Sequence, residues 1–166
     1  RDSEFTAETR SAPVKRISDV IALRGRQFRE DNGPLAHPVR PDQFVEINNF
    51  YTATVYEKGA ELVRMLKTLV GSEGYSKALD AYFARFDGQA VTIEDWLSIF
   101  ETTSGRDLAQ FKRWYTDAGT PRVSVKEDWA EGTYALTFTQ DTPATPGQPE
   151  KRPRVIPIAV GLLNPN

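Results

Sequence analysis

The stretch Glu46–Leu66, EINNFYTATVYEKGAELVRML, decides how this chain is interpreted. From about Thr52 to Val70, apolar residues recur at the spacing of one helix face. The residues on that face are Val55, Leu62, Leu66 and Leu69. Gly71 follows as a C-cap, because glycine readily takes the left-handed conformation that ends helices. The stretch therefore predicts an amphipathic helix with two tyrosines, Tyr51 and Tyr56, at its beginning.

The segments around this helix are also predicted to be helical as far as about Gly119. Apolar spacing indicates helices within residues 14–28, 73–86, 92–103 and 107–119. Thr92 and Asp95 fit the N-cap and N3 positions of a capping box. The proline-marked stretch DNGPLAHPVRPDQ, residues 31–43, is predicted to be a loop.

After Thr120 and Pro121 the apolar period changes to two, which is typical of strands. RVSVKEDW (122–129) and TYALTFTQ (133–140) predict two strands joined by a turn at Glu131 and Gly132. RVIPIAVGLL (154–163) predicts a third strand, at an edge or a bulge because of Pro157. We expect an α+β chain with a helical part over residues 1–119 and a β part, truncated after few strands, over residues 120–166.

Composition excludes several classes of function. The 166 residues carry a formal charge of −2, and 21 Lys and Arg are interspersed with 23 Asp and Glu, so we expect no nucleic-acid partner. No apolar run approaches the roughly 20 residues that span a bilayer, so no membrane association is expected. The absence of cysteine excludes disulfides and fits a cytoplasmic location. Because the chain begins at Arg1 and not at Met, we interpret it as part of something longer.

Motifs for metal or nucleophilic chemistry are incomplete. His37 is the single histidine, so it cannot assemble a catalytic zinc site, and we expect it to bond nearby loop backbone. Residues 83–94 imitate an EF-hand loop, but Phe83 and Arg85 occupy positions that must supply calcium ligands. A Ser-His-Asp hydrolase would have to use His37, and nothing around it supports one.

The carboxylates are scattered along the chain. Glu57 and Glu61 lie four apart on one helix, near Lys58, and this pattern is typical of a solvated charged face. The pattern of carboxylates alone does not exclude a two-carboxylate glycosidase, but nothing in the sequence supports one. Tyr51 and Tyr56 fit core or rim aromatic positions. They equally fit a phenol that donates a hydrogen bond to a developing oxyanion without carrying charge itself.

Several stretches together carry a family resemblance. They are HPVRPD, EINNFYTATVYEKGAELVRMLKTLVG, GYSKALDAYFARFDGQAVTIEDW, FKRWYTDAGTPRVSV and TYALTFTQDTPATPGQ. In this order and spacing the chain closely resembles the bacterial-type aminopeptidase N family, which are zinc metallopeptidases of the gluzincin group. The resemblance implies the helical C-terminal subdomain of a thermolysin-like catalytic domain, followed by the start of an antiparallel β-sandwich.

The resemblance also implies a reaction and residues for it. Family members release the N-terminal residue of peptides, so peptide substrates are expected. The tyrosine of VYEKGA, Tyr56, matches the family's oxyanion donor. Tyr51 matches a residue that lines the pocket for the first side chain of the substrate, and Asn48 falls in the same wall. Gly59 and Ala60 would let neighbouring backbone approach closely, a role that Gly59→Leu would test.

The family's zinc residues do not occur in this chain. The H-E-x-x-H histidines, its general-base glutamate, the third ligand and the G-x-M-E-N segment are absent from the sequence and lie upstream in family order. Zinc is therefore expected in the parent enzyme and none in this chain, which should be inactive alone. Apolar faces left exposed are expected to cause self-association. The alternative is a non-catalytic helical interaction module.

Overall fold

Helical elements come first along the chain and a β-hairpin follows in the computed structural model, which describes residues 2–163. The helical elements are α1 (Asp2–Thr9), α2 (Ala12–Ala22), a first π turn (Leu23–Gln27), α3 (Phe28–Asp31), a 3₁₀ turn (Ile47–Phe50), a second π turn (Thr54–Lys58), α4 (Gly59–Phe86), α5 (Ile93–Ser104) and α6 (Ala109–Thr116). The strands are β1 (Arg122–Ala130) and β2 (Thr133–Asp141). None of the described helices is both long and apolar enough to cross a bilayer.

The two strands form an antiparallel hairpin in the predicted place. Their register runs from Arg122 opposite Asp141 to Ala130 opposite Thr133. The turn residues Glu131 and Gly132 both have positive φ angles, 50° and 79°, which is the backbone of a tight two-residue hairpin turn. The local turn chemistry therefore predicted this connection correctly.

The predicted third strand is wrong. Within the described part of the chain, residues 154–163 have no strand structure. A strand needs a neighbour to receive its ladder of hydrogen bonds, and Pro157 has no N–H to donate to one. Alternating apolar residues indicate which side chains could share a face, but they do not supply that neighbour.

Helix ends follow the predicted chemistry. Thr92 Oγ1 accepts from Asp95 N at 3.2 Å, and Asp95 Oδ2 accepts from Thr92 N at 2.9 Å, which completes the capping box of α5. Gly105 ends α5 in the left-handed conformation. Gly71 has a non-helical backbone, with φ 77° and ψ 160°, so α4 consists of two helical segments that meet at a kink there. The first segment ends at Gly71, as predicted.

The chain divides into two compact units. The first contains the residues up to Ala60 together with Arg113–Pro153. Its interior is unusually polar. It buries Gln27, Asp31, Thr54, Lys58, Asp117 and Thr145 as well as Ala36, Val39, Trp114, Tyr115 and Ala118. Buried polar groups are stable inside a protein when they form hydrogen bonds, and the bonds of Gln27, Asp31, Thr54 and Lys58 are given with the candidate site.

The second unit contains Glu61–Lys112 together with the segment that begins at Arg154. Its core is aliphatic and aromatic, apart from the buried Arg154. Leu62 and Leu66, predicted to share one face of the helix, are both buried. Trp96 stacks at a tilt on Phe100 with ring centroids 4.4 Å apart and meets Tyr82 edge-on at 5.0 Å. These rings pack α4 against α5 by ordinary hydrophobic contact.

Candidate active site

The second π turn presents the two tyrosines that sequence analysis selected. Tyr56 lies on this turn and is 60% exposed, and Tyr51, 57% exposed, follows the 3₁₀ turn. Their ring centroids are 6.3 Å apart at an angle of 36°. Asn48 is exposed on the 3₁₀ turn. The structure thus gathers Tyr51 and Tyr56 on one surface, while the roles of all three residues stay predictions.

The N-terminal end of the π turn is anchored through Thr54, which is completely buried. Glu30 Oε2 accepts hydrogen bonds from both Thr54 N and Thr54 Oγ1, each at 2.6 Å. Gln27 Nε2 donates to Thr54 Oγ1 at 3.3 Å. A carboxylate that accepts from backbone and side chain of the same residue fixes both, so the position of Thr54 is set by Glu30.

The C-terminal end of the same turn is anchored through Lys58. Lys58 Nζ donates to Asp31 Oδ2 at 2.7 Å and to Gly119 O at 3.0 Å. Thr120 Oγ1 donates to the same Asp31 oxygen at 2.7 Å. Lys58 is buried, so its assignment to a solvated charged face is wrong. The residues next to Lys58 in the sequence did not indicate this burial, because its partner Asp31 lies 27 positions away.

The buried ion pair sets the charge of Asp31. Burial alone would raise its pKa, but the positive charge of Lys58 and hydrogen bonds from Lys58, Gln27 and Thr120 together hold the pKa of Asp31 below the ordinary value of 3.8. Asp31 is therefore ionised at neutral pH, and the ammonium of Lys58 has a matched partner inside the unit.

His37 has a local structural role, as expected. Its Nδ1 lies 2.8 Å from Leu35 O, and its Nε2 lies 2.8 Å from Thr52 Oγ1. A carbonyl oxygen can only accept, so Nδ1 carries the hydrogen. Thr52 Oγ1 in turn accepts from Val55 N at 3.2 Å. The histidine thus ties the loop to Thr52, whose hydroxyl accepts a hydrogen bond from Val55 in the second π turn.

Among the residues that the structure describes, no three His, Asp or Glu side chains are arranged to hold a metal ion such as zinc. Both ring nitrogens of His37 are already engaged in the contacts above.

The expected packing role of Gly59 and Ala60 is not supported. A Cβ at Gly59 would lie 3.6 Å from Val39 Cγ1, which is an ordinary van der Waals distance. Ala60 is exposed. The position of Tyr56 is fixed by polar contacts at both ends of its turn, whereas close backbone approach at these small residues is not required.

Comparison with known proteins decides the family. Residues 4–115 match the model of the peptidase family M1 domain. The chain belongs to peptidase family M1. Residues 119–166 match a second model, a domain of unknown function (DUF3458) with an Ig-like fold. The M1 match covers the helical elements and both tyrosines.

Bacterial relatives match along nearly the whole M1 chain. Aminopeptidase N of Escherichia coli K12 is 51% identical over 166 residues, which cover 99% of this chain and 19% of that protein. Aminopeptidase N of Haemophilus influenzae is 48% identical over 168 residues, which cover 100% of this chain and 19% of that protein. Aminopeptidase N of Caulobacter vibrioides is 55% identical over 137 residues, which cover 82% of this chain and 16% of that protein. The chain thus spans about a fifth of the length of the first two relatives.

A solved structure shares the fold. The crystal structure of Legionella pneumophila aminopeptidase A in complex with aspartic acid superposes with a TM-score of 0.59 at 29% identity, covering 75% of this chain and 16% of that one. The expected fold class, a helical peptidase subdomain followed by the start of a β-sandwich, is confirmed by this match and by the Ig-like model. The relatives favour a partial aminopeptidase over an independent interaction module.

Proposed function

We propose that this chain supplies the oxyanion donor and part of the substrate pocket of a zinc-dependent aminopeptidase, which releases the N-terminal residue of peptides. Tyr56 is the donor, and Tyr51 and Asn48 belong to the pocket wall. The observation that carries the proposal is the exposed phenol of Tyr56 on a turn whose two ends are anchored by buried polar contacts. Single π turns inside helices are rare and frequent at functional sites.

The chemistry assigned to Tyr56 is electrostatic. When water attacks a peptide carbonyl, negative charge develops on the carbonyl oxygen. A phenolic O–H donates a hydrogen bond to that oxygen without adding a charge that would have to be removed from water. Because the turn is already anchored, little reorganisation is needed at the moment of reaction. The neighbouring Tyr51 ring, 6.3 Å away, provides an apolar surface for a substrate side chain.

Removing the Tyr56 hydroxyl tests this function. We suggest a full-length enzyme, E. coli aminopeptidase N with this chain in place of its matching segment. Tyr56→Phe should lower kcat by about 10²–10³-fold and change KM little, since the bond forms only in the transition state. Turnover of an alanyl anilide measures both. Tyr134→Phe on β2 is the matched control and should retain full kcat. An unchanged kcat in Tyr56→Phe would refute the proposal.

The chain alone is proposed to bind no stoichiometric zinc and to have no peptidase activity. This rests on the sequence, which has one histidine and no H-E-x-x-H. Chelator-sensitive release of alanine from an alanyl anilide by the isolated chain would contradict it. We also propose a cytoplasmic location, which the absence of cysteine from the sequence supports.

Self-association of the chain is also proposed. One face of the hairpin presents exposed apolar side chains, namely Val123, Val125, Trp129 and Phe138. A two-stranded sheet with an uncovered apolar face tends to bury it against a second copy. Light scattering should show species larger than a monomer. Val125→Lys should reduce them, and Ser124→Lys, which adds the same charge to the opposite face, should not. A monomer at the highest concentrations would contradict this.

A further inference from the structure

Two motifs that are distant in sequence meet at one carboxylate. Lys58 belongs to YEKGA, and Gly119 and Thr120 belong to WYTDAGTP. Lys58 Nζ donates to Gly119 O, and both Lys58 and Thr120 donate to Asp31 Oδ2. Every one of these groups lies in the first unit. The meeting point lies at the C-terminal end of the turn that carries Tyr56, because Lys58 is the last residue of that turn.

A second carboxylate acts on the other end of the turn. Glu30, adjacent to Asp31 on α3, accepts from the backbone N–H and the hydroxyl of Thr54. Thr54 and Lys58 are the first and last residues of the π turn, and Tyr56 is its central residue. Adjacent acidic residues on one short helix therefore hold both ends of the same five-residue turn.

We infer that Glu30, Asp31, Thr54 and Lys58 form a polar clamp that positions the hydroxyl of Tyr56 for the reaction. A π turn has poorer backbone geometry than the α-helix that would replace it, so it persists only where its surroundings hold it. Relaxation to α-helical geometry would rotate residue 56 about the helix axis and move its hydroxyl. The inference rests on the proposed function of Tyr56. The four clamp residues are positioning residues, since none of them is placed in contact with substrate.

If the clamp positions the Tyr56 hydroxyl, its variants should behave differently from variants that only destabilise the fold. If Lys58 and Thr54 act only through the Tyr56 hydroxyl, their removal matters only while that hydroxyl is present. A double-mutant cycle with Tyr56→Phe measures this directly. It separates positioning from a general loss of folded enzyme, which would lower turnover equally in both backgrounds.

The test uses the full-length enzyme that carries this chain. Lys58→Met and Thr54→Val should each lower kcat, by as much as about 10²-fold if the hydroxyl moves by roughly 1 Å, with KM nearly constant. In the Tyr56→Phe background, neither should lower kcat further. Thr54→Val keeps the shape of the side chain and removes only its hydroxyl, so it decides the question even if Lys58→Met does not fold. Lys77→Met, which removes an exposed lysine paired with Glu73, is the control and should change neither constant.

Three results would overturn the inference. The loss of kcat in a clamp variant could multiply with the loss of kcat in Tyr56→Phe. The clamp variants could change KM instead of kcat, or both could retain full kcat. In each case a low kcat of Tyr56→Phe alone would leave the proposed function intact. A Tyr56→Phe enzyme with full kcat would instead remove the proposed function, and the inference with it.

Discussion

Two ion pairs in this chain have the same separation and very different surroundings. Lys58 Nζ lies 2.7 Å from Asp31 Oδ2, with side-chain exposures of 7% and 0%. Lys77 Nζ lies 2.7 Å from Glu73 Oε1, with exposures of 66% and 83%. Water and salt screen the exposed pair, whereas loss of one partner from the buried pair leaves a charge without compensation. The chain thus contains its own control for the effect of burial.

The buried pair should make stability depend on pH. Because the folded-state pKa of Asp31 is lowered, its contribution is fully present above 3.8, the ordinary value, and is lost as the pH falls through the folded-state value. Asp31→Asn should lower the free energy of unfolding of the chain by about 3–5 kcal/mol near neutral pH, since Lys58 would stay buried and charged. Asp31→Asn should also reduce the further decrease in the free energy of unfolding between neutral pH and acid.

Urea unfolding near neutral pH and in acid, followed by tryptophan fluorescence, measures both effects. Glu73→Gln is the matched variant and should shift the midpoint far less. Equal losses from Asp31→Asn and Glu73→Gln would contradict the interpretation that burial makes the difference.

Single residues also show where sequence reasoning reaches its limit. Tyr56 and Tyr51 could be selected because the stretch around them resembles a family. The Lys58–Asp31 pair could not be predicted, because 21 basic and 23 acidic residues allow hundreds of pairings and nothing local favours one 27 positions apart. The identity of Lys58 as a buried residue follows only from tertiary structure.

Among the elements, glycines at helix ends differ in how much space they have. Gly105 and Gly119 both have positive φ angles, 67° and 84°. A Cβ at Gly105 would meet open space. At Gly119 it would lie 3.1 Å from Thr145 Cγ2 and 3.3 Å from Thr142 Cγ2, so a neighbour would have to move. The carbonyl of Gly119 also accepts from Lys58, which ties this turn to the clamp.

Gly119→Ala should therefore destabilise the chain more than Gly105→Ala. The left-handed backbone costs each variant roughly 1–2 kcal/mol, and crowding should add a further 1–3 kcal/mol or so at Gly119. Urea unfolding of the two variants compares them directly. If both lose the same free energy, the methyl groups of Thr142 and Thr145 do not restrict this position.

Elements defined by neighbouring residues were predicted well, and elements defined by distant ones were not. The capping box at Thr92 and the hairpin turn at Glu131 and Gly132 depend on residues within four positions, so the sequence contains the whole interaction. The π turns and the missing strand at 154–163 depend on what packs or pairs with them. Amphipathic spacing indicates a helix but does not distinguish an α turn from a π turn.

At the scale of the whole molecule, the resemblance and the structure agree on family and fold class, while the division at residues 119 and 120 stays a prediction. The two family models match residues 4–115 and 119–166. The compact units follow another division, because Arg113–Pro153 joins the residues up to Ala60. The hairpin therefore belongs, in packing, to the unit that carries Tyr56.

The binding of a transition-state analogue tests the central claim most directly. A phosphinic dipeptide, whose tetrahedral phosphorus carries a charged oxygen where the carbonyl oxygen would be, should bind the full-length enzyme containing this chain. Tyr56→Phe should raise its Kd by about 10²–10³-fold while KM for a peptide substrate stays nearly constant. Equal affinity of the two enzymes for the phosphinic dipeptide would contradict the assignment of Tyr56 as the oxyanion donor.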